Sequence, residues 1–269
     1  MPMDIAALVG PVKAIATEAG NRIMEIYTTA FSVDEKTDNS PLTAADLASH
    51  EAIMAGLRHL TPGIPILSEE SLTVPFAERA HWERFWLVDP LDGTKEFIKR
   101  NGEFTVNIAL IEGHEPVLGV VLVPVSGLCY FAARGQGAFR QEPGAAAQRI
   151  AVQPLRNGSV RVVGSRSHSG PSLEAFVSQL GEYTFVPIGS SLKFCLVAEG
   201  RADIYPRLGP TSEWDTAAAQ CIVEEAGGRV IAVDGRRLAY NTKESLLNPY
   251  FLVIGDTRRD WLAYLPHDS

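Results

Sequence analysis

The stretch that most constrains this chain is Trp86-Leu87-Val88-Asp89-Pro90-Leu91-Asp92-Gly93-Thr94-Lys95-Glu96-Phe97. The apolar run from Phe85 to Val88 predicts a short buried strand that delivers Asp89 to a tight turn marked by Pro90 and Gly93. Side chains alternate along an extended segment, so Asp89 and Asp92 converge on one point only where the backbone folds back between them. Two carboxylates at a strand end suit a hard cation. Mg²⁺ takes oxygen ligands in octahedral geometry, keeps several waters, and is completed by substrate phosphate. The carbonyl of Leu91, between the two acids, is the backbone candidate. Each acid alone is equally an ordinary turn residue, because Asp hydrogen-bonds its own backbone there.

The 269 residues can bury one large core or two modest ones, and 46% hydrophobic with 21% charged residues is ordinary for a globular protein. A formal charge of -8 argues against a nucleic-acid polymer as partner but admits a phosphorylated small molecule where cations invert the local field. Cys129, Cys195 and Cys221 are odd in number, widely spaced and set among apolar residues. They read as buried thiols in a reducing compartment, not as disulfides or a zinc site. No run approaches the roughly 20 apolar residues of a membrane span, so the cytoplasm is the expected location.

Along the chain, helical spacing predicts a first amphipathic helix over Asp4 to Tyr27, then a polar connector, then a helix from Pro41 to about Leu60 with Thr43 as N-cap and Asp46 favouring its start. Ile64 to Leu67 reads as a strand ending in Ser68-Glu69-Glu70. If it neighbours the strand of Asp89, Glu69 lands beside that acid, which is costly without a cation. Thr105–Ile111, Val117–Val123, Leu128–Ala133 and Ala138–Arg140 read as an antiparallel meander. Pro143 to Gln148 is the expected tether, dividing the chain into an N-terminal α+β part (1–148) and a C-terminal α/β part (149–269). The latter alternates strand and helix: Val160–Val163, Ser172–Leu180, Tyr183–Pro187, Ser190–Glu199, Asp203–Tyr205, Trp214–Ala226, Arg229–Val233, Tyr250–Ile254 and a closing helix. Within it, Asp215 opens the helix of Glu213-Trp214-Asp215-Thr216-Ala217-Ala218-Ala219-Gln220, where an N-cap role is also open, and Gly227-Gly228 stops that helix.

Two stretches taken together carry a resemblance. Asp89-Pro90-Leu91-Asp92-Gly93-Thr94-Lys95-Glu96-Phe97, followed in order by Glu213-Trp214-Asp215 with its Glu225-Ala226-Gly227-Gly228 exit, resembles the signatures of the lithium-sensitive, magnesium-dependent phosphomonoesterases of the inositol monophosphatase superfamily. The segment from Lys36 to Asp46, with Val163-Gly164-Ser165-Arg166-Ser167-His168, Gly189-Ser190-Ser191-Leu192-Lys193-Phe194 and Asp203-Ile204-Tyr205-Pro206-Arg207, resembles its bisphosphate nucleotidase branch. The likeness implies a five-layered αβαβα sandwich with a metal site in the cleft between two subdomains.

By that resemblance one Mg²⁺ is held by Glu69, Asp89 and the Leu91 carbonyl and activates a water, and a second, held by Asp89, Asp92 and Asp215, stabilises the leaving oxygen; a third, weaker ion is admitted by analogy. Asp46 paired with the Thr94 hydroxyl, and Glu69, would orient the attacking water, and the amides of Gly93 and Thr94 would cradle the phosphate. The implied substrate is 3′-phosphoadenosine 5′-phosphate, cleaved to AMP, with the corresponding phosphosulfate as a further candidate. Ser190 and Lys193 are assigned to the 5′-phosphate, and Arg207 and His168 to the nucleotide. The family likeness also implies inhibition by Li⁺ and Ca²⁺, and leaves homodimer formation and contact with the inner face of a membrane open. The alternatives are an inositol monophosphatase, which needs no second phosphate pocket, and an inactive sensor of a phosphorylated ligand.

Overall fold

The computed structural model describes residues 3–29, 32–35, 41–71, 74–155, 158–165 and 170–266. Helix α1 (Ile5–Tyr27) starts where the Asp4 carboxylate accepts the Ala7 N–H, and it buries Val12, Ala16, Ala19 and Ile23 along one face. Strands β1 (Val33–Glu35) and β2 (Pro41–Thr43) form a small antiparallel pair leading into α2 (Ala44–Leu60). Then come β3 (Ile66–Ser68), the short α3 (Phe76–Arg79), β4 (Arg84–Asp92), the short α4 (Thr94–Ile98), β5 (Thr105–Glu112), β6 (Glu115–Val123), β7 (Leu128–Ala133), β8 (Gly137–Gln141) and β9 (Gln148–Ile150). The chain continues through β10 (Val160–Gly164), α5 (Pro171–Ser178), β11 (Tyr183–Pro187), α6 (Leu192–Ala198), β12 (Ile204–Arg207), a 3-10 turn (Glu213–Asp215), α7 (Ala217–Glu225), β13 (Arg229–Ala232) and β14 (Phe251–Ile254).

Strands β3 to β9 lie side by side in sequence order in one seven-stranded sheet, antiparallel except for the β3/β4 pair. The second sheet runs β11-β10-β12-β14-β13, its first three strands parallel and the rest antiparallel. Helices α1 and α2 cover the outer face of the first sheet over a core that includes Ile23, Ile53, Trp86, Ile108 and Val120. Helices α6 and α7 fill the space between the sheets, where Phe194, Ile222 and Val223 share one core with Leu87, Val121 and Val253. Helix α5 packs on the far side, with Phe176 and Trp261 against Val162 and Leu252. The layers are therefore α, β, α, β, α, as a chain whose sheets bury both faces requires. Strand β9 spans the 148/149 junction that the sequence marks as a boundary, and the central core draws on residues from both sides of it.

Three local expectations differ. Pro90 and Gly93 make no reversal between Asp89 and Asp92: β4 runs on to Asp92, and its register against β5 slips between Asp89 (opposite Asn107) and Asp92 (opposite Thr105). Proline cannot donate to the ladder, so it sits where the ladder is interrupted. The helix expected over Trp214–Ala226 is a 3-10 turn followed by α7, because the Asp215 carboxylate takes the Ser212 N–H in a capping box and tightens the first turn. In place of a closing helix, the described C-terminal residues form one 3-10 turn, Leu262–Tyr264, bounded by Trp261, whose indole N–H donates to the Asp256 carbonyl at 2.9 Å, and by Pro266.

Candidate active site

The slip in β4 builds the site. Residues 89 and 92 are three apart, so strict alternation would send their side chains to opposite faces. The stretch from Asp89 to Asp92 spans three residue steps where Asn107 to Thr105 spans two, and this extra residue turns both acids to the same side. The Asp89 carboxylate accepts the Leu91 N–H at 3.0 Å, and Ser49 on α2 donates to the Pro90 carbonyl at 2.7 Å, which pins the irregular backbone. Strand β3 pairs parallel with β4, and the Glu69 N–H donates to the Val88 carbonyl at 3.1 Å, setting Glu69 next to Asp89. Gly93 then takes a left-handed φ of 95° and launches α4; a side chain there would be strained as well as 3.2 Å from the Glu103 carbonyl.

Asp46 serves both of its expected partners, one oxygen to each. Its Oδ2 accepts the Thr43 N–H at 2.8 Å and the Thr43 hydroxyl at 2.6 Å, closing the capping box of α2. Its Oδ1 lies 3.3 Å from the Thr94 hydroxyl, which is also 3.4 Å from the Leu91 carbonyl.

From the C-terminal part, the 3-10 turn before α7 brings Asp215 to the same cavity. The turn is placed by α7, whose small residues Ala217, Ala218 and Ala219 let its backbone lie against the first sheet. Gly119 of β6 makes the approach possible: a Cβ there would fall 2.1 Å from the Ala218 carbonyl oxygen.

The cavity encloses about 470 Å³. Its lining includes the acids Glu69, Asp89, Asp92 and Asp215 with Leu91, and also Ser190, Lys193 and Arg207. Asp89 is 1% exposed, and its carboxyl titrates well above the usual range, first because burial strips it of water and then because Glu69, Asp92 and Asp215 surround it. Asp215 is pushed up to about 8 by loss of solvent and by Asp92 and Glu69, against the pull of the Ser212 N–H. A cluster of hard oxygen donors that repel one another in this way fits a divalent cation, which would remove the repulsion. Among the described residues no group of three or more acidic, histidine or cysteine side chains is drawn together closely enough to hold a metal ion by itself.

Cationic side chains share this cavity, and both Lys193 and Arg207 feel its acids. Lys193 is 7% exposed; its amine donates to the Ser190 carbonyl at 2.6 Å, and burial lowers it to about 8. Ser190 is held at a φ of 47°, rare for a residue with a side chain, and its buried hydroxyl has no partner among the described residues; nor has Nε of Arg207. His168 and Arg166 lie outside the described residues. Nothing in the sequence analysis singles out Asn107 and Ser191, which meet at Asp92. A polar residue inside the apolar run Val106 to Ile111 is the signal that Asn107 carries, and Ser191 is hidden as the neighbour of Ser190.

Comparison with known proteins places the chain that builds this cleft. Residues 6–259 match the model of the inositol monophosphatase family. A 3′(2′),5′-bisphosphate nucleotidase CysQ of Escherichia coli O6:H1 is 54% identical over 244 residues, 89% of this chain and 96% of that protein. The crystal structure of CysQ from Bacteroides thetaiotaomicron, a bacterial member of the inositol monophosphatase family, superposes with a TM-score of 0.84 at 42% identity, covering 96% of this chain and 100% of the other. An IMPase/NADP phosphatase complexed with Mg²⁺ and phosphate shares the fold at a TM-score of 0.80 and 18% identity, over 99% and 97% of the two chains.

Proposed function

The chain belongs to the inositol monophosphatase family, and from that premise we propose that it is a magnesium-dependent 3′(2′),5′-bisphosphate nucleotidase that hydrolyses 3′-phosphoadenosine 5′-phosphate to AMP and phosphate. Identity of 54% to a CysQ nucleotidase over most of both chains supports the reaction. The structural observation that carries the choice of substrate is the unpartnered, buried Ser190 hydroxyl, which lines one cavity with Lys193, Arg207 and the carboxylates. A substrate whose one phosphate sits on the metal ions leaves the Ser190 hydroxyl and Arg207 Nε without partners; a second, non-reacting phosphate satisfies them.

Glu69, Asp89, the Leu91 carbonyl, Asp92 and Asp215 are the residues that would hold magnesium. Bound there, the ions supply positive charge at both ends of an in-line displacement at phosphorus. The chain's own groups do the rest. Thr94 donates its hydroxyl hydrogen to Asp46, which leaves its lone pairs to accept a hydrogen from the attacking water. The attacking water's proton passes through Thr94 to Asp46, with Glu69 helping to orient that water, as the new P–O bond forms; the ester bond to the 3′-oxygen breaks and that oxygen takes a proton from a solvent water. The N–H groups of Gly93 and Thr94 face the phosphate at the start of α4, and Ser190, Lys193 and Arg207 anchor the nucleotide's other phosphate.

Initial rates with Mg²⁺ on 3′-phosphoadenosine 5′-phosphate, its phosphosulfate counterpart and inositol 1-phosphate test this reading. One charge-assisted bond contributes about 1.5–3 kcal/mol, so kcat/KM for the bisphosphate should exceed that for inositol 1-phosphate by at least about tenfold. Equal or better turnover of inositol 1-phosphate would overturn the choice of substrate, and no turnover of any of the three would overturn the activity.

A further inference from the structure

Ser191 touches two acids that arrive from distant parts of the chain. Its hydroxyl oxygen lies 2.9 Å from Oδ2 of Asp92, at the end of β4, and 2.7 Å from the backbone carbonyl of Asp215, in the 3-10 turn before α7. On a third side Asn107 of β5 donates its amide to Ser191 Oγ at 2.9 Å and lies 3.4 Å from the same Asp92 oxygen. The Asn107 amide is turned this way by Thr105, whose hydroxyl donates to Asn107 Oδ1 at 3.0 Å. Ser191 and Asn107 are 2% and 1% exposed, so solvent offers no substitute for these bonds.

A hydroxyl has one hydrogen to give and lone pairs to accept with. Asn107 occupies an accepting position, and the hydrogen is shared between a carboxylate and a carbonyl that both stand within 3 Å of a single atom. The first sheet supplies Asp92, the helix layer supplies Ser191 at the N-cap of α6, and the turn before α7 supplies Asp215. The bond from Ser191 engages Oδ2 of Asp92, a residue that lines the cavity, and leaves its other oxygen free of this bond.

The geometry assigns Ser191 as a positioning residue that sets the separation of Asp92 from Asp215, and with it the fit of the oxygen cage to magnesium. This rests on the reading of those two acids as metal ligands. Ser191 acts through them, oriented by Asn107. Groups that orient metal ligands in this way typically change metal affinity by about 10–100-fold when lost.

The test is calorimetric titration of Mg²⁺ into the full chain, without substrate, for the parent, Ser191→Ala, Ser191→Thr and Asp92→Asn, alongside rates as a function of Mg²⁺. The Ser191→Ala protein should melt cooperatively and bind Mg²⁺ at least about tenfold more weakly, with the half-saturating Mg²⁺ in turnover raised by the same factor. Its KM for the bisphosphate at saturating Mg²⁺ should stay at the parent value. Ser191→Thr, which keeps the hydroxyl, should recover most of the affinity. If Ser191→Ala does not fold, Ser191→Cys preserves the shape with a poor donor and should show the same weakening. Mg²⁺ affinity in the alanine or cysteine variant within about twofold of the parent overturns the assignment, as does a loss that Ser191→Thr shares in full. If the parent binds no Mg²⁺, or Asp92→Asn binds it as the parent does, the metal site itself fails; if those two behave as expected, only the role of Ser191 does.

Discussion

At the scale of single residues, Asp46 holds the start of α2 with one oxygen and the Thr94 hydroxyl with the other. Asp46→Asn should therefore lower turnover by about 100-fold or more, the lower range of general base effects, while costing about 1 kcal/mol of stability for the weakened cap; rates and urea melts measure the two separately. Asp89 offers the opposite combination. Its buried carboxylate is destabilised by three neighbouring acids, and its accepted bond from the Leu91 N–H survives in an amide, so Asp89→Asn should abolish turnover yet melt at a higher temperature than the parent in EDTA at pH 8. A lower melting temperature would refute that account of the cluster. Lys193 gives a pH signature. Its amine is held near 8, below the ordinary lysine range, so it is charged below pH 8 and neutral above, and a phosphate needs the charge. The kcat/KM for the bisphosphate should decline above about pH 8, and Lys193→Met should lose that limb while sitting at a lower plateau. Of these residues, the acids were legible because their spacing repeats a known signature, but the division of labour between the two oxygens of Asp46 is set by the position of Thr94 in space, which sequence distance conceals.

At the scale of elements, the meander from β5 to β8 and the helices α1 and α2 follow from alternation, helical spacing and caps that need no partner to be recognised. The interrupted ladder of β4 does not. It exists only as a mismatch between β4 and β5, so no window of sequence around Pro90 contains it, and a turn is the natural expectation from Pro and Gly alone. The same holds for β9, three residues long and strand-like only because β8 offers it an edge. The contact of α7 with β6 is also a matter of pairing. Gly119→Ala would drive a methyl into the Ala218 carbonyl, and since that atom is backbone, α7 must shift; the expected loss is about 1–3 kcal/mol in a denaturant melt, with Mg²⁺ affinity falling because Asp215 moves with the helix. Unchanged stability and affinity would show that the two elements tolerate a wider gap.

At the scale of the whole molecule, the cleft is assembled from the carboxyl ends of β3 and β4, the turn before α7 and the loop before α6, and the last two belong to helices packed between both sheets. The layer order was legible through the family resemblance, whereas the alternation of elements alone gives an α+β part followed by an α/β part. Which side chains would face each other across the middle layer was not, since that depends on how the two sheets sit against the helices between them. If cations occupy the acid cluster, Mg²⁺ at 100 times its dissociation constant should add about 2.7 kcal/mol to the stability of the entire fold, seen as a higher melting temperature in Mg²⁺ than in EDTA. Helices covered on both faces have no free direction in which to tilt. Heating should therefore leave the pocket intact until everything melts at once: the thermal inactivation curve and the far-UV melt should superimpose, and a protein of this build should have no lukewarm, half-working form.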